Sequence, residues 1–254
     1  NWQVAENTLL YASISQGTKS GGFFTGVVTS DEQLIPYGPE QLVAYEIGLK
    51  RQVADLGLSY EAALFYYDYE DVQTFITDDS GAVPVDRLGN VSGATIHGLD
   101  AALQWRPPSF SGLALYASIG LLDTELASFV SGATTIPKGN EQPDAPGFSG
   151  NLAASYEFSL SDSASMQIAV DGRYQGDTYR SVLNEVFSET ASYWVINARV
   201  SLYLQNEWEV TAWGRNIYDE EYMTEFSNNL ALGNGSRIYG APRTYGLTVT
   251  KHFD

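Results

Sequence analysis

The sequence has no cysteine, only two histidines and two methionines, and 13 basic residues among 254. It also has no apolar run near the 18 or so residues that a membrane-crossing helix needs, so if the chain crosses a bilayer it does so as a barrel. The missing cysteine excludes a small disulfide-stapled secreted scaffold. Thirteen Lys and Arg against 31 Asp and Glu give a formal net charge of −18. That sign repels phosphate backbones, and no basic patch offsets it, so no nucleic-acid partner is expected. There is no Cys nucleophile, HExxH pair or phosphate-binding glycine loop, so enzymatic readings start poorly and no cofactor is called for. The chain lacks an initial Met, a basic n-region and an apolar h-region, and at Asn1-Trp2-Gln3 it already stands close to a strand. We therefore expect a processed protein or the later part of a longer one.

Aromatic residues are abundant instead: 17 Tyr, 11 Phe and 5 Trp. They fall in segments of period-two alternation, which marks β-strands with two unlike faces. In SMQIAVDGRYQGD, Met166, Ile168, Val170 and Tyr174 oppose Gln167, Asp171, Arg173 and Gln175. In YWVINARVSLYL, Trp194, Ile196, Val200 and Leu202 oppose Tyr193, Asn197, Arg199 and Ser201, and in LVAYEIGLK the set Val43, Tyr45, Ile47, Leu49 opposes Glu46, Gly48, Lys50. Ten strands are read in this way, over about 7–17, 41–51, 56–69, 93–105, 112–122, 148–158, 165–177, 191–204, 207–217 and 243–253.

A soluble sandwich and a membrane barrel both write such alternation. The connections separate them. Links after odd-numbered strands are long (18–40, 70–92, 123–147, 178–190, 218–242), whereas those after even-numbered strands are VADL, RPPSFSG, SLSDSA and QNE. Greek-key sandwiches have no reason to sort loops by parity, but outer-membrane barrels do, with tight periplasmic turns and long outer loops. The expected fold is therefore all-β, a transmembrane antiparallel up-and-down β-barrel of about ten meander strands. Its apolar face meets lipid, flanked by aromatics such as Tyr60, Tyr66, Trp105, Tyr156, Trp194 and Trp208. In the closing strand Tyr245, Leu247, Val249 and Phe253 face lipid, Thr244, Gly246, Thr248 and Thr250 face the lumen, and Lys251 snorkels to the headgroups.

Several stretches, in order along nearly the whole chain, resemble the C-terminal half of TonB-dependent outer-membrane receptors. They are LLYASISQGTKSGGF, PEQLVAYEIGLK, GLSYEAALFYYDYEDVQ, ATIHGLDAALQWRP, PKGNEQPDAPGFSGNLAASYEF, WEVTAWGRNIYDEEY and the closing YGAPRTYGLTVTKHF. One departure is Asp254 after Phe253, where most members end on the aromatic. The resemblance implies that residues 1–254 are the last part of a 22-strand barrel in the bacterial outer membrane, with the plug domain outside this sequence. Import of a ferric siderophore or similar scarce nutrient is implied with it. So are contacts with outer-membrane lipid and lipopolysaccharide, with the barrel-assembly machinery, and with TonB through an N-terminal region. By the same resemblance Tyr245, Leu247, Val249 and Phe253 are the assembly signal.

Family ligands are held by plug apices, upper lumen wall and long loops, so the resemblance yields the rim candidates Lys19, Phe23, Gln175, Tyr179, Arg237 and Tyr239. A cation beside an aromatic suits an anionic chelate or a stacked sugar, although plain loop structure is the first reading of each residue. Lumen-facing Arg173, Arg199 and Arg215 are expected to pair with Glu46, Glu61, Asp100, Asp171 or Glu157. The acidic clusters Asp78-Asp79 and Asp219-Glu220-Glu221 read as solvated loop, or as ligands for Ca²⁺ or for divalent ions bridging to lipopolysaccharide. A rival function is a small autonomous barrel acting as an adhesin or an omptin-like surface enzyme, for which Asp78-Asp79 with His97 is the one available constellation. His252, the second histidine, falls at the periplasmic end of the last strand.

Overall fold

The computed structural model describes residues 1–26, 31–81, 83–205, 207–229, 234–251 and 253. His252 and Asp254 lie outside the described residues. One antiparallel sheet runs through the chain as a meander: β1 (Trp2–Ala5), β2 (Thr8–Lys19), β3 (Glu40–Val53), β4 (Leu58–Asp78), β5 (Val85–Trp105), β6 (Leu113–Leu126), β7 (Phe148–Ser161), β8 (Ala164–Gln175), β9 (Tyr193–Leu204), β10 (Trp208–Arg215) and β11 (Thr244–Lys251). Every strand pairs with its neighbours in sequence, and β1 and β11 are unpaired on their outer edges. The sheet is therefore an open wall and not a closed ten-strand cylinder.

Two features correct the sequence reading. Eleven strands stand where ten were expected, because Trp2–Ala5 pairs with Thr8–Leu10 across a tight turn; four residues are too few to display a period. The expected 70–92 loop is mostly strand, since β4 and β5 stay paired from Leu58–Trp105 up to Asp78–Val85. The cause of the misreading is Asp71, which has φ 55° and sits where pairing skips from Glu70–Gly93 to Val72–Val91. A left-handed residue in a strand shifts side-chain parity. Below it, even-numbered β5 residues such as Ala94 face inward; above it, odd-numbered Val91 joins the same buried cluster.

Register puts the apolar residues on one face. Leu49, Ala62 and Ala101 are level with one another, as are Leu103 and Ala117, Val170 and Ala198, and Ala212 and Leu247. Large side chains on that face are exposed, including Ile14, Ile47, Leu64, Leu152, Ile168 and Val249. A water-facing sheet would bury this face, so the pattern is that of lipid contact. All six predicted outward aromatics share it. They form two belts: Tyr45–Tyr66–His97 and Phe148–Tyr174–Trp194 in ring contact near the long loops, and Tyr156–Phe158 with Trp208 near the short turns. Lys251 lies over both Trp208 and Phe253, which is the expected interfacial anchor. From Trp194 to Leu204, level with Trp208, is ten residues. At about 3.3 Å per residue and a tilt of about 40°, this gives a band about 25 Å tall.

The buried apolar core lies in the long loops. Val72, Val91, Ala94 and Leu126 pack with Phe129, Ile136 and Val182. Four short hairpins stiffen these connections: Gly22–Phe23 with Pro36–Tyr37, Phe129–Ser131 with Thr134–Ile136, Thr178–Tyr179 with Glu189–Thr190, and Met223–Asn229 with Asn234–Tyr239.

Candidate functional site: the upper lumen wall and its loops

The lumen face carries the polar side chains, and its upper end is continuous with the loop cluster. Tyr193, at the start of β9, sits directly opposite Gln175 at the end of β8. Its hydroxyl donates to Gln175 Oε1 at 2.9 Å and accepts from Arg173 Nη2 at 2.9 Å. The Arg173 guanidinium also lies 5.9 Å from the Tyr193 ring centroid, and Tyr222 stacks on that ring at 4.7 Å. Tyr193 is 5% exposed, so it acts as a fixed platform that orients an exposed guanidinium.

Arg180 ties the neighbouring loops together. Its Nε donates to Thr190 Oγ1 in its own hairpin, Nη1 pairs with Asp144 of loop 127–147, and Nη2 donates to the Met223 carbonyl at 2.7 Å. Asp144 N–H donates back to the Tyr179 carbonyl at 2.8 Å. Asn140 donates to the Val182 carbonyl, and Asn184 exchanges two hydrogen bonds with the Glu141 backbone. Asn216 closes the last loop, donating to the carbonyls of Glu220 and Ala241 and accepting from the Glu220 N–H.

Four of the six rim candidates come together in this cluster. Gln175 belongs to the Arg173–Tyr193 group, and Tyr179 pairs with Glu189. Arg237 Nη2 donates to the Phe187 carbonyl at 2.7 Å, and Tyr239 lies exposed opposite Met223. Lys19 and Phe23 belong to a separate corner. Lys19 pairs with Glu40, and Phe23 is exposed opposite Pro36. That corner is bound to the β4–β5 extension by Gln73, which donates to the Ser20 and Gly38 carbonyls, and by Asn90. The sequence did not single out Tyr193, Arg180 or Asn216, because each acts through partners 19 to 43 residues away that only the register brings near.

The expected arginine–carboxylate pairs do not form among the described residues. Arg173 binds Tyr193 and Gln175, Arg215 lies over the Trp213 ring at 5.2 Å, and Asp171 instead accepts from Asn197 Nδ2 at 2.7 Å. Arg173 and Arg215 are met by neutral same-face neighbours, Gln175 and Trp213 two residues along their own strands and Tyr193 one strand away. The acidic-pair readings also change. Asp78 accepts from Ser80 and forms a buried ion pair with Arg87. Burial pushes its carboxyl up, but the Ser80 hydroxyl and amide and the Arg87 guanidinium outweigh this and hold it below the usual carboxylate range. Asp219 accepts from the Arg243 N–H. Among the described residues no three metal-ligating side chains converge. His97 lies on the outer face, level with Tyr66 and Asp123, while Asp78 is twelve residues further up β4 from Tyr66. At about 3.3 Å per residue that is about 40 Å, so His97 does not meet Asp78; its carboxylate neighbour is Asp123, 3.9 Å away on the outer face.

Similarity to known proteins agrees with this geometry. The ferric yersiniabactin uptake receptor of Yersinia pestis superposes with a TM-score of 0.78 at 18% identity, over 97% of this chain and 35% of its own. The siderophore receptor PiuA of Acinetobacter baumannii gives 0.72 at 18% identity, over 97% and 34%. The ferric-catecholate import receptor Fiu of E. coli K12, in its closed form, gives 0.68 at 20% identity, over 98% and 34%. The chain thus spans about a third of the length of these solved structures, and at such identities they speak for the fold alone. Residues 1–217 match the sequence family described as TonB dependent receptor-like, beta-barrel. With that match over most of its length, and with the lipid-facing meander to go with it, this chain belongs to the TonB-dependent receptor β-barrel family.

Proposed function

We propose that residues 1–254 form the C-terminal portion of a larger receptor barrel that takes up a ferric siderophore or a comparable scarce nutrient. The family sets this wall in the bacterial outer membrane. The observation that carries the functional reading is the two-faced wall itself. An apolar outer band is backed by a polar lumen face that opens into packed loops, and the sheet is left unpaired at both edges. An open-edged wall is completed by further strands, and a polar lumen needs an occupant or water. In the proposed whole protein a plug domain fills the lumen, the loops capture the ligand, and TonB passes on energy from the inner-membrane proton gradient. Neighbours described as receptors for yersiniabactin, for catecholates and for ferric citrate support iron chelates as the cargo class. The rim candidates Lys19, Phe23, Gln175, Tyr179, Arg237 and Tyr239 are proposed as the loop contacts. Tyr245, Leu247, Val249 and Phe253 are proposed as the signal read by the barrel-assembly machinery.

The test is uptake of ⁵⁵Fe chelates by iron-starved cells with and without the gene. Loss of uptake for at least one chelate, abolished equally by a proton uncoupler or by deletion of TonB, is the expected result. Unchanged uptake and growth on every chelate tried would refute the reading.

A further inference from the structure

The lumen wall is divided by charge. On β3–β5 the inward residues include Glu46, Glu61 and Asp100 with one ammonium, Lys50, which is paired to Glu61 at 3.0 Å. On β6 and β7 the inward positions of the mid and upper wall are neutral, among them Ser118, Gly120, Ser149 and Asn151, and the carboxylate of Glu157 lies lower, near the short turn. On β8–β10 the sign reverses. Arg173, Arg199 and Arg215 all point inward, against two carboxylates: Asp171, which Asn197 already holds, and Glu209 near the short-turn end of β10, which accepts from Thr211 Oγ1.

Register spaces the three guanidiniums. Arg173 is level with Val195, Arg215 is two positions deeper, between Ala198–Gly214 and the Asn216 N–H bond to Asn197, and Arg199 is level with Trp213. Successive arginines therefore step down the wall by about 6.6 Å, the first two on strands about 9.6 Å apart and the last two on neighbouring strands about 4.8 Å apart. The first is oriented by Tyr193 and the second lies over Trp213. All three side chains are exposed, and no ion pair engages them among the described residues. Three exposed guanidiniums on one stretch of wall, two of them set over aromatic rings, present planar forks matched to anionic oxygens.

We propose that the β8–β10 sector is the contact surface for the anionic oxygens of a ferric chelate, which meets Arg173 at the mouth and passes Arg215 and Arg199 as it descends. This rests on the receptor reading above and adds to it the charge of the cargo and its path along one side of the lumen. The acidic β3–β5 sector repels the same ligand and keeps it to that side.

The experiment uses the full-length receptor, purified, with binding followed by tryptophan fluorescence. The probes are two anionic chelates, a ferric tris-catecholate and ferric citrate, and an uncharged ferric trihydroxamate. At least one anionic probe should bind more tightly than the uncharged one, with an affinity that weakens as salt rises. Arg173→Gln and Arg215→Gln should each lower that affinity by about 10- to 100-fold and flatten its salt dependence. Arg173→Lys should fall between, and Lys50→Gln should leave it unchanged. Heat-modifiable migration checks that each variant has assembled. Tighter binding of the uncharged probe, equal binding by assembled arginine variants, or no binding of either anionic probe would each overturn the inference. The receptor reading would survive these outcomes, since it falls only if chelate uptake by whole cells is independent of the gene.

Discussion

An arginine placed on either face of β11 distinguishes the two environments of this wall, and the structure sets the expected cost. Leu247 faces out, is 68% exposed and lies level with Ala212. Lys251 stacks on Trp208 and Phe253 at the short-turn interface, four residues below Leu247 and two below Val249. At about 3.3 Å per residue and a tilt of about 40°, Leu247 stands about 10 Å above that interface and Val249 about 5 Å. In a band about 25 Å tall, Leu247 is thus close to the midplane, where a charged side chain costs about 2–4 kcal/mol, while Val249 should cost about 1–2 kcal/mol. Thr248 faces the lumen and accepts a hydrogen bond from Trp213 Nε1 at 3.1 Å. Its replacement loses that bond, about 1 kcal/mol, with no lipid penalty. The expected order of damage is Leu247→Arg, then Val249→Arg, then Thr248→Arg. It is measured by urea unfolding in lipid vesicles and, in cells, by heat-modifiable migration and outer-membrane fractionation. If Thr248→Arg assembled no better than Leu247→Arg, the assignment of faces would be wrong, and with it the claim that the alternation is written for lipid.

Three further outcomes follow from other parts of the chain. Gly57 has φ +62°, and a Cβ there would meet the Arg106 carbonyl oxygen at 1.9 Å, so Gly57→Ala should lower the urea midpoint by more than the roughly 1 kcal/mol typical of a left-handed alanine. Arg180→Ala should raise protease cleavage in loops 127–147 and 216–229 without changing heat-modifiable migration. Arg180→Lys should rescue little, since one ammonium cannot span Thr190, Asp144 and the Met223 carbonyl. Asp78→Asn leaves Arg87 buried without its charge partner and should cost about 3 kcal/mol in hydrogen-exchange protection at the β4–β5 tip. Because the folded carboxyl is held below its ordinary range, that protection is complete above the unfolded pKa. It should fade as pH drops through the folded one, and the wild type should then converge on the variant.

What the sequence made legible was whatever depends on one strand at a time. Period two within β8, β9 and β11 is set by side chains a few residues apart, and burial against lipid on one face enforces it, so faces and approximate ends could be read directly. Two things broke that reading. Asp71 reverses parity inside β4, so the pattern stopped there although the hydrogen bonds continued for seven more residues to Asp78. Trp2–Ala5 is too short to show a pattern and becomes a strand only through its partner. The rim required a different kind of information. That Arg173 meets Tyr193, and that Arg180 meets both Asp144 and Met223, depends on register and loop packing across 20 to 43 residues. A list of charged residues invited the guess that arginines pair with carboxylates.

The failure of that guess has a physical reason that bears on function. A lumen wall satisfies a guanidinium locally only if a carboxylate lies on the same face, one strand over and at the same level, and the register denies this to Arg173, Arg199 and Arg215 while granting it to Lys50 and Glu61. Asp171, the nearest candidate, is engaged by Asn197, whose own carbonyl oxygen accepts the N–H of Asn216. That carboxylate is therefore committed to holding the end of β10 in place. An exposed charge over an aromatic ring keeps most of its hydration and costs little to hold in readiness. Its unused donors then face the lumen, where an arriving anion exchanges water for a preset fork. The same loops that carry the buried core fix the upper end of this wall through Arg180 and Tyr222, so the arginine steps are mounted on a packed, cross-linked part of the mouth. Loosening that mount with Arg180→Ala should therefore weaken anion binding even though Arg180 touches no ligand. It should do so through faster dissociation, with the salt dependence unchanged, because the number of charges met is the same.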